Sequence, residues 1–186
     1  TRLCRDWSSD VCSSDLVTSG YVPLGGTLVG ERVARVLIER GGEFNHGYTY
    51  SGHPVACAVA LANLDLLQRE DLPGRVRNDT GPYLAERLAT LEAHPLVGRA
   101  ESCGLVAALT LLRDKAQGLP FPEEQAVGMV CRAHCFGGGL VMRAVGDRMI
   151  IAPPLIITRA QIDELIGLIV RALDATLAEL RAQGGF

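Results

Sequence analysis

The chain has 186 residues, of which 48% are hydrophobic and 21% are charged. This length suits one domain, or one domain and part of another, and the apolar fraction is enough to form a folded core. The net charge of −3 argues against nucleic acid as a partner, because proteins that bind a phosphate backbone carry a basic surface. No apolar run reaches about 18 residues, so we expect no membrane span.

The cysteines and the N-terminus bear on the cellular compartment. The six cysteines are irregularly spaced in a chain of this length, which argues against a framework of disulfides and favours a reducing compartment. The N-terminus has no basic region followed by an apolar stretch, the pattern typical of a secretory signal. We therefore expect a cytoplasmic protein.

The first sixteen residues differ from the rest of the chain. Residues 6–16 read DWSSDVCSSDL, with four serines in eleven positions and neither a helical nor a strand period. Codons for this stretch can be chosen to spell a common sequencing-adapter oligonucleotide translated in one frame. We therefore predict that residues 1–16 are an assembly artefact without regular structure, which did not evolve with the fold. The alternative is a native N-terminus that is polar and disordered.

From Val17 onward the pattern predicts an α/β protein. A short strand follows a Gly-Gly turn, and an amphipathic helix follows the strand and ends at a second Gly-Gly pair. A polar loop with two glycines then leads to a helix that is apolar on nearly every side, which predicts burial. These elements are the strand 27–29, the helix 31–40, the loop 44–52 and the helix 54–68. Residues 71–74 break the pattern and mark a candidate domain boundary.

The region after this boundary predicts helices packed on a short sheet. Thr158 and Gln161 have the spacing of a capping box, which marks the start of the last helix. Two short strands flank a tight turn at Gly146. The predicted elements are helices over 81–91, 123–136 and 159–182 and strands over 105–112, 140–143 and 148–152.

Three features carry candidate chemistry. The spacing Cys131-x-x-His134-Cys135 suggests a metal, but a zinc site needs a fourth ligand and no second cluster exists, so we predict no metal. The loop 44–54 combines hydroxyls, glycines and histidines before a helix, which suits either an anion site or an ordinary N-capping loop. Arg143 ends an apolar strand, where its guanidinium either pairs structurally or grips a carboxylate through two hydrogen bonds.

Several segments together resemble the class III aminotransferases, the pyridoxal-phosphate enzymes of fold type I. The matching segments are TSGYVPLGG at 18–26, FNHGYTYSGHP at 44–54, HPLVG at 94–98, MRAVGD at 142–147 and APPL at 152–155. The stretch 127–154 looks most like the putrescine–pyruvate subgroup within the ω-amino acid–pyruvate enzymes. The resemblance implies that residues 17–72 are the end of the large cofactor domain, and that residues 73–186 are the small C-terminal α+β domain.

The resemblance also implies roles for single residues. Thr49 matches the threonine that family members extend across the dimer interface to the cofactor phosphate of the neighbouring subunit. Arg143 matches the arginine that binds the carboxylate of a keto acid such as pyruvate and moves aside for an amine substrate. Tyr21 matches an aromatic position near the active site. The implied cofactor is pyridoxal 5′-phosphate, and the implied assembly is a homodimer.

One departure from the family pattern affects catalysis. The family places its Schiff-base lysine two residues before the position of Val17, and here that position is Asp15. The chain has a single lysine, Lys115, in a loop to which the resemblance gives no role. An aspartate carboxylate cannot form a Schiff base, and the upstream half of the family's cofactor site has no counterpart here.

We therefore predict a truncated, catalytically inactive aminotransferase. Its parent would transfer an amino group from a diamine or ω-amino donor to pyruvate; a parent acting on β-alanine or another ω-amino acid is the rival within the class. The alternative from another class is a non-catalytic dimerisation or binding module derived from the same fold.

Overall fold

The computed structural model describes residues 11–14, 17–43, 47 and 49–184, and of residues 11–14 it describes the backbone alone. The chain divides into two compact units, Thr1–Asp71 and Leu72–Phe186. No helix in the described ranges combines the length and the apolar character that crossing a membrane requires.

The first unit begins with a pair of strands. Strand β1 (Val11–Ser14) pairs antiparallel with β2 (Gly26–Val29), and Val11 lies opposite Val29. The expectation that residues 1–16 lack regular structure is therefore wrong for residues 11–14. The physical reason is that strand pairing uses backbone N–H and C=O groups alone. A segment without a strand pattern can therefore pair with the edge of β2, provided that it has no proline. The other residues of this segment lie outside the described ones, Asp15 among them.

Two helices complete the first unit. Helix α1 (Glu31–Arg40) has the predicted bounds but contains no buried residue. Helix α2 (Pro54–Arg69) buries only Ala56 and Ala60 and leaves its leucines largely exposed, so the prediction of a buried helix is wrong for this chain. The physical reason is area: one further helix and a two-stranded sheet among the described residues offer too little apolar surface to cover a 16-residue helix on all sides.

The second unit is a four-stranded antiparallel sheet with helices packed on it. The strands are β3 (Val97–Cys103), β4 (Val106–Leu111), β5 (Arg143–Val145) and β6 (Arg148–Ile151), in the order β3-β4-β6-β5. The helices are α3 (Leu72–Arg75), α4 (Gly81–Ala89), α5 (Val127–Gly137) and α6 (Arg159–Ala182). A π-helical turn, Val76–Thr80, joins α3 to α4, and 3₁₀ turns lie at Thr90–Ala93 and Glu123–Gln125.

Alternation along the strands separates a core face from a polar face. Leu109 and Met149 lie opposite each other in register, and both are buried against the helices. The other face of the sheet carries Arg99 and Arg148, whose guanidinium groups both lie 2.9 Å from Glu101. Helix α6 contributes eight buried residues at helical spacing, and the predicted capping box of Thr158 and Gln161 is confirmed.

Candidate active-site residues

Arg143 lies at the start of β5, the edge strand of the sheet, so the prediction that it ends a strand over 140–143 is wrong. The neighbouring Met142 is buried and Ala144 packs against the core, so strand alternation directs Arg143 to the opposite face, where it is exposed. Within the described part of the chain, the guanidinium of Arg143 has neither a hydrogen bond nor an ion pair.

The register explains why Arg143 has no acidic partner on this face. Arg143 lies in one row with Ile150, Ala108 and Glu101, and Glu101 is three strands away. Three strand spacings are about 14 Å, which is too far for an ion pair. Arg99 and Arg148 already bind this carboxylate. Arg143 therefore offers a free, planar set of donors that suits a carboxylate.

The hairpin that carries Arg143 is fixed at its turn. Gly146 adopts φ +55°, which makes the tight turn between β5 and β6 possible. The Asp147 carboxylate accepts a hydrogen bond from the Gly128 N–H at the start of α5 (2.9 Å), and the Asp147 carbonyl accepts one from the Leu111 N–H (2.9 Å). A Cβ at position 128 would lie 2.1 Å from the Gly146 carbonyl oxygen, so this approach requires glycine.

Thr49 lies in the turn that precedes α2, in the first unit. Its side chain is exposed, and its hydroxyl has no partner among the described residues. His53 caps the helix through Nδ1, which accepts from the Ala56 N–H (3.5 Å), and Pro54 occupies the first helical position. The histidine therefore does the N-capping, and the threonine hydroxyl remains available to an anion. The predicted loop residues 44–46 and 48 lie outside the described ones.

A cavity of about 340 Å³ lies beside this turn in the same unit. Its lining includes Tyr50, His53 and Val22. Tyr21 directly precedes Val22 and is 83% exposed, so the candidate residues Tyr21 and Thr49 each adjoin in sequence a residue that lines this cavity. Arg143 belongs to the other unit.

The single lysine has a structural role in this chain. The Lys115 ammonium donates to the Glu92 carbonyl and, at 3.1 Å, to the His94 carbonyl. Both carbonyls lie at the end of the 3₁₀ turn Thr90–Ala93, where backbone acceptors lack helical partners. The ammonium thus stabilises a helix end.

The cysteine and histidine cluster of α5 belongs to the packing of the second unit. Cys131 and Cys135 are buried in the core, and the Cys135 thiol contacts the Met142 sulfur at 3.8 Å. The pKa of the Cys135 thiol is raised by its hydrogen bond to Cys131 and by burial. The Nε2 of His134 lies 2.8 Å from the Glu179 carboxylate on α6. Cys57, Cys131 and Cys135 are free thiols, whereas Cys103 is disulfide-bonded, which departs from the expectation of cysteines kept reduced.

Sequence reasoning missed the partners of two side chains near the candidate site. His53 was part of the singled-out loop, but its capping of α2 depends on the local backbone, which the sequence does not show. Asn63 on α2 bonds to residues 17 and 19, more than forty positions earlier. A polar residue within an apolar helix is the only signal that could have drawn attention to it.

The family model described as aminotransferase class-III matches residues 6–173. The putrescine–pyruvate aminotransferase of Pseudomonas aeruginosa is 52% identical over 166 residues, which are 89% of this chain and 36% of the relative. A thermostable (S)-enantioselective ω-transaminase from Thermomicrobium roseum matches with a TM-score of 0.83 and 42% identity, over 90% of this chain and 38% of that one.

A pyridoxal-phosphate-bound aminotransferase mutant from Vibrio fluvialis matches with a TM-score of 0.85 and 35% identity, over 91% of this chain and 38% of that one. The chain thus spans less than two fifths of the length of each of these relatives. The family match begins at residue 6, within the segment 1–16.

Proposed function

Because this chain belongs to the class III aminotransferase family, we propose that it is the C-terminal part of an enzyme that moves an amino group from a diamine or ω-amino donor to pyruvate through pyridoxal phosphate. In this proposal residues 17–72 end the large cofactor domain and residues 73–186 form the small domain. Residues 1–16 are a translated adapter in this proposal, although strand β1 and the start of the family match at residue 6 both lie within them. The complete enzyme works as a cytoplasmic homodimer.

The observation that carries the proposal is the exposed, unpartnered guanidinium of Arg143 on a hairpin whose turn is fixed. Arg143 lies on a folded strand, and all the donors of its guanidinium are free. Such a group suits a ligand that presents two acceptor oxygens in one plane. A keto acid such as pyruvate has such a carboxylate, whereas a diamine has none. Arg143 is therefore the group that binds the keto acid.

The described residues fit one edge of pyridoxal phosphate. The free hydroxyl of Thr49 can donate to a phosphate oxygen, which suits the proposed contact with the neighbouring subunit's cofactor. When bound, the cofactor supplies the aldehyde that carries the amino group between donor and acceptor. Tyr21, beside the cavity-lining Val22, is the proposed aromatic wall of the substrate site.

The chain by itself is proposed to be inactive because it lacks a suitable amine. The position of the family's lysine holds Asp15, whose carboxylate cannot bond to the cofactor aldehyde. The ammonium of Lys115 is engaged by two backbone carbonyls at a helix end. The source gene is therefore expected to encode a lysine in place of Asp15.

The experiment for this proposal uses the complete enzyme that carries this C-terminal part. We expect Arg143→Ala to weaken the pyruvate half-reaction roughly tenfold to a few hundredfold, because hydrogen bonds to charged groups contribute about 1.5–3 kcal/mol. The diamine half-reaction should keep its rate. Arg143→Lys should restore only part of the loss, since an ammonium has no planar pair of donors.

Arg148→Ala is the matched control, because Arg148 lies on the same sheet face but is paired with Glu101. It should leave the ratio of the two half-reaction rates unchanged. Equal damage to both half-reactions by Arg143→Ala would show that Arg143 is a structural arginine, and would overturn the proposal.

One observation favours the alternative of a non-catalytic binding module. Helices α1 and α2 expose apolar side chains, with Ile38 at 82% and Leu61 at 69%. Genomic sequence upstream of Val17 separates the two functions. A lysine codon at position 15, preceded by the rest of a large domain, supports the enzyme. A start codon near Thr1 supports the module.

A further inference from the structure

Helix α5 precedes strand β5 in the chain, and its C-terminal end defines how the chain enters the strand. The Leu140 N–H donates to the Cys135 carbonyl (2.8 Å), and the Gly139 N–H donates to the Phe136 carbonyl (3.1 Å). These two bonds form a Schellman motif, and Gly139 adopts the left-handed conformation that the motif needs, with φ +83°. The backbone path is therefore fixed as far as Leu140, three residues before Arg143.

A sulfur contact holds the residue before Arg143 to the same helix. Met142 is buried, and its sulfur accepts a weak hydrogen bond from the Cys135 thiol (3.8 Å). Both side chains belong to the core of the second unit. Because successive residues of a strand face opposite sides of the sheet, fixing Met142 on the core side directs Arg143 to the other side.

Asp147 holds the far end of the hairpin to the N-terminus of α5. Asp147 is half-buried, and its carboxylate accepts from the Gly128 N–H (2.9 Å). The first N–H groups of a helix lack helical partners, and the residue at the N-cap of α5 is Ala126, whose side chain has no acceptor. Asp147 therefore replaces the missing cap. Its carbonyl also accepts from the Leu111 N–H on β4 (2.9 Å), so one residue ties the hairpin to two other elements.

We propose that Asp147 is a positioning residue for the keto-acid step, because it fixes the strand from which the Arg143 guanidinium meets the substrate carboxylate. Strand β5 has three residues and lies at the edge of the sheet, so its position depends on what holds its ends. A bidentate pair needs its donors and acceptors in one plane. Misplacement by about 1 Å can cost a hundredfold in rate. This inference rests on the proposed function, since only that function gives Arg143 a keto acid to bind.

The proposal assigns the effect to one half-reaction. Pyruvate has the carboxylate that Arg143 binds, so displacement of the strand weakens its binding. A diamine has no carboxylate, and its half-reaction does not depend on where Arg143 lies. General loss of stability would instead lower the rates of both half-reactions together.

The first test uses the complete enzyme. Asp147→Ala should raise the KM for pyruvate roughly tenfold and leave the diamine half-reaction unchanged, because a charge-assisted hydrogen bond that holds the hairpin is lost. Asp147→Asn should restore most of the pyruvate affinity, since an amide oxygen can still accept from the Gly128 N–H. In an Arg143→Ala background, Asp147→Ala should cause no further loss of pyruvate affinity, because coupled residues give non-additive effects.

A second variant moves the turn without removing the carboxylate. In Gly128→Ala the new Cβ would lie 2.1 Å from the Gly146 carbonyl oxygen, so the turn must shift. This variant should damage the pyruvate half-reaction alone, as Asp147→Ala does. Asp114→Ala is the matched control, because the Asp114 carboxylate also accepts two backbone N–H groups (2.9 and 3.1 Å), but within its own loop. It should leave the ratio of the two half-reaction rates unchanged.

Amide hydrogen exchange in the 186-residue chain gives a readout that needs no activity. Asp147→Ala should speed exchange over residues 143–145 roughly tenfold, because the hairpin loses its bond to α5. Exchange in β3, at the opposite edge of the sheet, should stay the same. Asp114→Ala should leave exchange over residues 143–145 unchanged.

The proposal is overturned if Asp147→Ala damages both half-reactions equally while Arg143→Ala damages only the pyruvate one, because Asp147 then supports the domain as a whole. It is also overturned if the two substitutions have additive effects in the double variant, or if exchange over residues 143–145 does not change. Asp147→Asn and Gly128→Ala keep the test valid if Asp147→Ala does not fold. Failure of the proposed function would show separately, as equal damage to both half-reactions by Arg143→Ala itself.

Discussion

The two units of the chain differ in how they are held together. In Leu72–Phe186, twenty-four buried side chains from the sheet and the helices form one core. In the described part of Thr1–Asp71, the buried side chains are Ala56, Ala60 and Thr18. There the order comes from hydrogen bonds, such as those of Asn63 to the turn and of His53 to its helix.

This difference shows what each unit requires. Burial of apolar area is the main stabilising contribution in folding, and the second unit has it within its own residues. The first unit has the candidate cofactor residues but exposes the apolar faces of α1 and α2. It therefore needs a covering surface that lies outside the described residues, which agrees with a chain spanning 36% of its putrescine–pyruvate relative.

The sharpest test of this contrast replaces one leucine in each unit. Leu109 on β4 is fully buried, so Leu109→Ala should lower the free energy of unfolding by about 2–5 kcal/mol, through lost burial and the cavity that remains. Leu61 on α2 is 69% exposed, so Leu61→Ala should change the free energy of unfolding by less than about 0.5 kcal/mol. Urea titration measures both. Equal costs would mean that α2 is covered in solution.

The exposed faces of the first unit should cause association. Large apolar patches bind hydrophobic dyes and promote self-assembly, so the chain should enhance anilinonaphthalene-sulfonate fluorescence and form aggregates. Ile38→Lys together with Leu61→Lys should reduce both effects. The matched pair Val106→Lys and Val141→Lys places the charges on exposed positions of the second unit and should reduce them less. A monodisperse monomer with cooperative melting would contradict this account of the first unit.

A smaller effect concerns the pH dependence of the second unit. Burial lowers the pKa of His94 below its ordinary value of about 6.5; nearby Asp174 opposes the shift, and Lys115 adds to it. The folded state therefore holds His94 neutral, and the unfolded state binds the proton more readily. The stabilisation from His94 is present above pH 6.5, and it is lost as the pH falls below that value towards the lowered pKa of the folded state.

His94→Asn provides the comparison, because its amide oxygen can replace the Nδ1 acceptor that receives the Leu96 N–H (3.2 Å) but does not titrate. Unfolding free energies measured by urea from pH 8 to pH 5 should fall less steeply with acid in His94→Asn than in the unsubstituted chain. Parallel curves for the two chains would rule out His94 as a source of the pH dependence.

The sequence predicted the elements whose signals are local. Helix α1 and helix α6 have the expected bounds because amphipathic periodicity and the capping box of Thr158 mark them. Strand β3 was missed, because VGRAESC has no apolar alternation and becomes a strand by pairing with β4. The break between the 3₁₀ turn and α5 was missed as well, since Ala126 adopts φ +43° without the glycine that usually marks such a position.

The candidate site was predictable to the extent that residue type carries the chemistry. Arg143 drew attention as a charge on an apolar strand, and Thr49 as a hydroxyl before a helix. Arg143 has no acidic partner on its sheet face because of the strand register, and the sequence does not show that register. Asn63 makes two hydrogen bonds to residues 17 and 19, more than forty positions earlier in the chain. No local sequence pattern indicates these bonds.

The most direct test of the central claim, that this chain has the fold of an aminotransferase but not its reactive amine, is reductive trapping of the cofactor on the unsubstituted chain. The chain is mixed with pyridoxal phosphate and then with borohydride, and its peptides are mapped by mass spectrometry. Because the one lysine stabilises a helix end, we expect no stoichiometric adduct at a single site and no visible absorbance band of a bound cofactor. A stoichiometric adduct confined to Lys115, with such a band, would contradict the account.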